Sequence, residues 1–263
     1  MTSKENNKQT VDFLQKHQYF GYPKDFVGIF EQEELPLLDI QGKLLMGENM
    51  LIKEASNGNG GLFSSMAKKG VLEDMHAREI DWVFVGGVDN ILLKLVDLPL
   101  MGLCIKRSTP IGSRTVLKTD PKENVGVFCK QDGKPKIIEY TEMPEEVASM
   151  VNEHGELIFG ETNITAMLFS IDAVTTASTQ RMPYHVAHKI SGFVEQNGKF
   201  IYPTQPNCYK FEKFIFDAFA LFEDISLLRG VREEDFAPIK NATGNDSPET
   251  AKKLYEEYFK NIL

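Results

Sequence analysis

The chain has 263 residues, is 42% hydrophobic and 25% charged, and carries a formal net charge of −9. That balance suits a globular α/β domain with a sizeable core and excludes a nucleic-acid surface, for which a basic stripe is needed. No apolar run reaches membrane-spanning length, the first ten residues hold no signal-like apolar stretch, and Cys104, Cys129 and Cys208 have neither metal nor disulfide spacing; the expected setting is reduced and cytoplasmic, with neither membrane nor nucleic acid as partner.

In chain order, residues 10–18 follow a helical pattern that Gly21 and Pro23 stop. Residues 26–30 read as a short apolar strand, 31–42 as a loop, and 44–46 and 50–55 as further strands. The segment SNGNGGLF (56–63) then packs three glycines and two asparagines into its first six residues, ahead of one or two helices over 62–76. A loop of this kind presents main-chain N–H groups to a ligand with no Cβ in the way, so a side chain placed at Gly58 is expected to meet ligand and not core. A plain surface turn has the same composition.

Residues 81–86 (DWVFVG) form a continuous apolar run, as in a buried parallel strand, and lead into VGGVDN. Asp89 at that point suits a divalent metal or a ribose hydroxyl, or equally the N-cap of a helix over 90–94. Strands are expected over 101–106, 114–118 and 124–130, with the turn QDGK joining the last to 135–140. Helices are expected over 144–152, 163–176 and 211–222. His185 and His188 lie three apart on a predicted helix without a third ligand, and read as surface or packing residues. A hairpin over 193–201 turns at Asn197-Gly198, a strand covers 225–229, and Ser247-Pro248-Glu249 opens a last helix. Strands alternating with helices, interrupted by hairpins, give an α/β sheet with a smaller β addition, whose ligands bind at the carboxyl ends of strands.

Several polar residues stand in settings that allow chemistry. The amide of Gln32 can pair with a base edge or lie in solvent. Glu139 can accept sugar hydroxyls or be an ordinary strand residue. Lys210 and Lys240, each flanked by apolar residues, can act as point charges on phosphate or snorkel at the surface.

Eight segments occur in one order: FEQEELP (30–36), SNGNGGLF (56–63), VDNILLKLVD (88–97), VLKTDPKENVGVFC (116–129), IIEYTE (137–142), TNI (162–164), KFEKFIFD (210–217) and VREEDFAPIKNA (231–242). Together they resemble the UDP-sugar pyrophosphorylase family, and most of all its N-acetylglucosamine branch. The resemblance implies a Rossmann-like, GT-A-like nucleotide-diphospho-sugar transferase: one catalytic domain over 1–263, with a mixed α/β sheet and inserted β-hairpins. It implies a reaction in which UTP and a sugar 1-phosphate give UDP-sugar and pyrophosphate with Mg²⁺, N-acetylglucosamine 1-phosphate being favoured over glucose 1-phosphate. Residue by residue, Gln32 and the Gly58 backbone would hold uracil, and Asn59 the sugar or its substituents. Asp89 would sit by the UTP phosphates through the metal. Gly126, Glu139, Tyr140 and Asn163 would line the sugar pocket, Lys210 would bind nucleotide phosphate and Lys240 the sugar phosphate. Ser56 and Glu31 stand where the family has proline and glutamine. The family's first core strand, its Gly-rich phosphate loop and a nearby lysine find no match, so the expectation is a partial domain, poorly active alone. The rivals are a fragment that binds sugar nucleotide or needs a partner segment, and a glycosyltransferase, which would want a paired-aspartate metal motif in place of the lone Asp89.

Overall fold

A computed structural model describes residues 1–195 and 197–260. It divides into two compact units, Met1–Glu79 with Thr175–Ala218, and Ile80–Val174 with Phe219–Leu263.

The first unit opens with the helix Asn7–Lys16, which starts before the apolar stripe that predicts it. The strand expected over 26–30 does not form. Lys24–Phe26 is a 3-10 turn, and pairing begins at Glu31, which bridges to Thr2 in parallel. The expected loop over 31–42 instead holds two short strands. Glu34–Pro36 pairs antiparallel with Glu54–Ser56, and Leu38–Asp39 joins Cys208–Glu212 and His185–Lys189 in a three-stranded antiparallel sheet. Segments 44–46 and 50–55 contribute isolated bridges, Leu38 to Leu44 and Met46 to Ile52. His185 and His188 are thus on a strand, where His188 stacks on Tyr209 at 5.1 Å across the pair. The helix expected over 211–222 is a strand that gives way to the 3-10 helix Ile215–Leu221; its apolar run over 214–222, broken only by Asp217, suits a buried helix and a buried 3-10 segment alike. Helices Leu62–Lys68 and Val71–Ala77 form as expected, divided at Gly70. Phe193–Val194 pairs with Phe200–Ile201 in the expected hairpin, of which Gln196 lies outside the described residues. Leu37, Leu45 and Cys208 form a core here, with Ala55 and Phe193 packed against it.

The second unit is built on a mixed six-stranded sheet. Its order is Ser226–Arg229, Ile111–Leu117, Glu161–Ser170, Val127–Gln131 and Lys134–Ile138, with Trp82–Gly86 also paired to Glu161–Ser170. The first pair is parallel and the others antiparallel. Trp82–Gly86 is therefore antiparallel and half-buried, not a buried parallel strand. Two other expectations change. Residues 98–107 form the helix Leu98–Arg107 where a strand was expected: the Leu100 amide donates to the Asp97 carboxylate at 3.0 Å, Pro99 lies in the first turn, and Leu100 and Cys104, one turn apart, are buried. Residues 161–170 are a strand and not the start of a helix. The helix begins at Ile171, where the Ala173 amide donates to the Ser170 hydroxyl at 3.1 Å. Residues 145–148 are the helical part of 144–152, and 90–94 hold an isolated bridge at Asn90 and a turn over 91–92 with no helix. The QDGK hairpin is as expected, with positive φ at Asp132 and Gly133.

The last helix, Pro248–Lys260, packs Ala251, Leu254 and Tyr258 with Leu92 and Ala237. Ser247 caps it reciprocally: its amide donates to the Thr250 hydroxyl at 2.9 Å, and its hydroxyl accepts from the Thr250 amide at 3.4 Å. Ser247→Ala is expected to lower stability by about 1 kcal/mol, read as a shift in the urea midpoint; no shift would show the cap to be dispensable.

The central strand Glu161–Ser170 changes partner along its length. On one edge, Gly86 pairs with Ala166, while Val127 pairs with Thr162. Between these pairings the sheet forks. Asn163 donates its amide to the Gly126 carbonyl at 2.9 Å, and Thr165 accepts from the Gly87 amide at 3.0 Å. The register with Ile111–Leu117 also shifts here, and Thr165 takes a φ of 52°. A β-branched residue in the left-handed region is strained, and strain of this kind gathers at binding sites.

Candidate functional site

In the first unit the glycine loop is a packed structure. Continuing the register of Glu34–Pro36 and Glu54–Ser56 sets Gln32 opposite Gly58. The Gln32 amide N–H donates to the Thr2 carbonyl at 2.8 Å, and its side-chain oxygen is buried without a partner among the described residues. A buried acceptor left unpaired costs about 1–3 kcal/mol, and a ligand N–H would relieve that cost. Gly58 has a φ of +83°, and a Cβ there would lie 2.3 Å from the Lys213 carbonyl oxygen. A side chain at Gly58 therefore collides with the protein's own backbone, which corrects the expectation that it would meet ligand and not core. The Gly60 amide donates to the same carbonyl at 2.9 Å. The Asn59 side-chain oxygen accepts from the Ile215 amide at 2.9 Å, so this exposed residue turns its NH₂ to solvent or ligand. Lys210 is already committed: its ammonium lies 2.8 Å from Glu212, two residues on and on the same strand face. To bind a phosphate it must share or exchange that carboxylate.

In the second unit the expected residues converge on the sheet fork. Asn163 is at its centre. Its side-chain oxygen accepts from the Thr165 amide at 2.9 Å, which holds the strained turn and leaves the NH₂ as the donor available to a ligand. Gly126 bonds to it, and a Cβ on Gly126 would come within 2.9 Å of the Glu139 carboxylate, so this glycine makes room for that acid. Tyr140 follows, 47% exposed. Asp89 lies beyond Gly87 at the end of Trp82–Gly86, half-buried, and its carbonyl accepts from the Ile239 amide at 2.9 Å. That bond sets the Asp89 backbone beside the segment carrying Lys240, which is exposed, with its ammonium 5.8 Å from the Phe236 ring. Asp89 caps no helix, since 90–94 form none. Asn90, Thr165 and the buried Asn57 were not singled out in the sequence, because an asparagine or threonine carries no signal of burial until its neighbours are known.

No group of three or more metal-ligating side chains occurs among the described residues. A single half-buried carboxylate such as Asp89 fits Mg²⁺ chemistry all the same, because that ion is commonly held by one or two carboxylates together with substrate phosphates.

A mixed sheet with a forked central strand, amide and glycine contacts at the fork, and Lys240 on the segment bonded to Asp89 suit a nucleotidyltransferase-like α/β protein. The model of the UTP–glucose-1-phosphate uridylyltransferase family matches residues 1–247, and the chain belongs to that family. It is 37% identical over 265 residues to UDP-N-acetylhexosamine pyrophosphorylase-like protein 1 of Xenopus tropicalis, covering 98% of this chain and 52% of that one. It is 34% identical to the UDP-N-acetylglucosamine pyrophosphorylase of Saccharomyces cerevisiae, covering 97% of this chain and 55% of that protein. A crystal structure described as a UDP-N-acetylglucosamine pyrophosphorylase from Entamoeba histolytica superposes with a TM-score of 0.88 at 32% identity, over 98% of this chain and 64% of the other. The fold is thus that of the UDP-sugar pyrophosphorylases, as expected, and the chain spans about half the length of the curated relatives it matches. Among the described residues no helix is long and apolar enough to cross a membrane.

Proposed function

We propose that the protein is a UTP:sugar-1-phosphate uridylyltransferase, with N-acetylglucosamine 1-phosphate as the favoured acceptor and glucose 1-phosphate second. The family membership and the names of the relatives support the reaction class. The observation that carries the reading to this chain is the fork, where Asn163, Gly126 and Glu139 meet and the Gly87–Asp89 turn departs. The cysteine usage supports a cytoplasmic setting.

The chemistry asks little of a side-chain base. A phosphate oxygen of the sugar 1-phosphate attacks the α-phosphorus of UTP. The bond from that phosphorus to the oxygen bridging to the β-phosphorus breaks, and pyrophosphate leaves with the electron pair. Both reactants are anions, so catalysis lies in positioning and in neutralising charge. Lys240 would hold the sugar phosphate, and Lys210, exchanging Glu212, the nucleotide phosphates. The Gln32 oxygen would accept the uracil N–H, with the Gly58 main chain beside it. Asn163, its oxygen spent on backbone, would recognise the sugar as a donor beside Glu139, which would accept its hydroxyls, and Tyr140; in the first unit the Asn59 NH₂ is likewise a donor. Mg²⁺ held at Asp89 would supply charge neutralisation at the phosphates.

Asn163→Asp separates the donor from the scaffold. Aspartate still accepts the Thr165 amide but has no NH₂. UDP-N-acetylglucosamine is expected to bind about 10- to 100-fold more weakly, the loss typical of one hydrogen bond in a closed site, with the melting temperature little changed. Calorimetry on the variant, beside a pyrophosphate-release assay with UTP and N-acetylglucosamine 1-phosphate, is the test. Unchanged binding would remove Asn163 from the sugar site, and binding without turnover would favour a sugar-nucleotide-binding protein.

A further inference from the structure

The two segments proposed to hold metal and sugar phosphate, 87–92 and 235–240, are joined through one buried side chain. Asn90 is 4% exposed. Its NH₂ donates to the Asp235 carbonyl at 2.8 Å, and its oxygen accepts from the Ala237 amide at 2.9 Å and the Leu92 amide at 3.2 Å. Main-chain bonds flank it: Ile91 donates to the Ala237 carbonyl at 3.3 Å and Ile239 to the Asp89 carbonyl at 2.9 Å. The bridge Asn90 to Pro238 is the register that results. Asn90 and Pro238 are thus a non-hydrogen-bonded pair, so the proline costs the ladder no bond, and the Asn90 carboxamide takes the Ala237 amide and adds a bond to the Asp235 carbonyl. Asp235, whose carbonyl Asn90 binds, is in turn fixed by its carboxylate, 2.8 Å from Lys94 and 3.4 Å from Arg114.

We infer that Asn90 is a positioning residue that sets the spacing of Asp89 and Lys240, and so of the two groups proposed to face the nucleotide phosphates and the phosphate of the acceptor sugar. Asn90 itself touches no substrate, since its three bonds are all to backbone. The inference rests on the proposed uridylyltransferase reading. Its physical basis is that misplacement of a charged group by about 1 Å can cost about 100-fold in rate, and the Asn90 carboxamide is the side-chain link that reinforces the two main-chain bonds joining these segments.

The test compares Asn90→Ala and Asn90→Asp in the full chain. Asn90→Asp keeps the acceptor for Ala237 and Leu92 but sets a buried carboxylate oxygen against the Asp235 carbonyl, so it should be at least as damaging as Asn90→Ala. Hydrogen exchange of the Ala237 and Ile239 amides is expected to quicken at least tenfold in Asn90→Ala, while the amides of Ile111–Leu117 and Glu161–Ser170 keep their protection. Turnover of UTP with N-acetylglucosamine 1-phosphate should fall at least tenfold in kcat, with KM for UTP unchanged. In the unaltered chain Asp89→Ala and Lys240→Ala should be non-additive in kcat/KM, and in the Asn90→Ala background they should become additive. Protection retained at Ala237 and Ile239, or a coupling of Asp89 and Lys240 that survives Asn90→Ala, overturns the inference. So does uniform loss of protection across the sheet, which would mark Asn90 as a general structural residue. If the unaltered chain gives no turnover, the uridylyltransferase reading falls and takes the inference with it, whereas turnover equal in parent and variant removes the inference alone.

Discussion

Gly58→Ala lowers stability far more than Gly42→Ala, although both glycines hold left-handed backbone, at φ +83° and +81°. Gly42 has open space where a Cβ would go, so alanine there meets backbone strain alone, about 1–2 kcal/mol. At Gly58 the same strain is joined by a Cβ 2.3 Å from the Lys213 carbonyl oxygen and 2.8 Å from its nitrogen. Those atoms belong to main chain that bonds back to the loop, the Lys213 amide donating to Asn57 at 2.7 Å and its carbonyl accepting from Gly60. Overpacking of this kind adds about 1–3 kcal/mol, and valine adds more than alanine. Urea titrations of the two alanine variants check this. Equal midpoints would mean that the 213–215 segment gives way freely and that the loop is packed less closely than its contacts indicate.

Arg114→Met is the second large effect. Arg114 binds both oxygens of Asp97, at 2.6 and 2.9 Å, and reaches Asp235 at 3.4 Å. The bond to Asp97, first among its causes, holds the guanidinium even more firmly protonated than usual. Both carboxylates are buried, and Asp97 also caps the Leu98–Arg107 helix. Methionine fills similar volume but leaves Asp235 with Lys94 and Asp97 with no cation among the described residues. Removing one partner of a buried ion pair costs about 3–5 kcal/mol. Arg114→Met with Asp97→Asn should regain part of that loss, because the amide oxygen still accepts from Leu100 without a buried charge. A cost under about 1 kcal/mol for the single change, or no recovery in the double, would show that water reaches these acids.

What the sequence showed and what it hid follow from the range of the interactions. The helices over 62–77, the QDGK hairpin and the Ser247 cap are local, and their residues announce them. The run NITAMLFSIDAV does not. Its part over 166–169 is buried on both faces, so the two-residue alternation that holds over 161–165 is erased there. The Leu98–Arg107 helix was legible in principle, since Asp97 followed by Pro99 is a cap and a first-turn proline, yet its apolar run over 100–105 was read as a strand. At the candidate site, the residue types were legible from ordered motifs. The double use of Asn59 and Asn163, oxygen on backbone and NH₂ outward, was not, because it depends on partners 156 residues away in one case and on a strained turn in the other.

The central strand also dictates the order in which the second unit can be assembled. Trp82–Gly86, Ile111–Leu117 and Val127–Gln131 all precede Glu161–Ser170 in the chain, and each needs it as a neighbour. Synthesis at about 5–20 residues per second leaves the first of them without that partner for on the order of ten seconds. During that interval the hairpin of Val127–Gln131 with Lys134–Ile138 can close by itself, while the other two strands stay as open edges exposed to intermolecular pairing. The strand at which the sheet forks is therefore also the one whose emergence from the ribosome gives three earlier strands their shared neighbour, while Ile111–Leu117 waits for Ser226–Arg229 on its other edge.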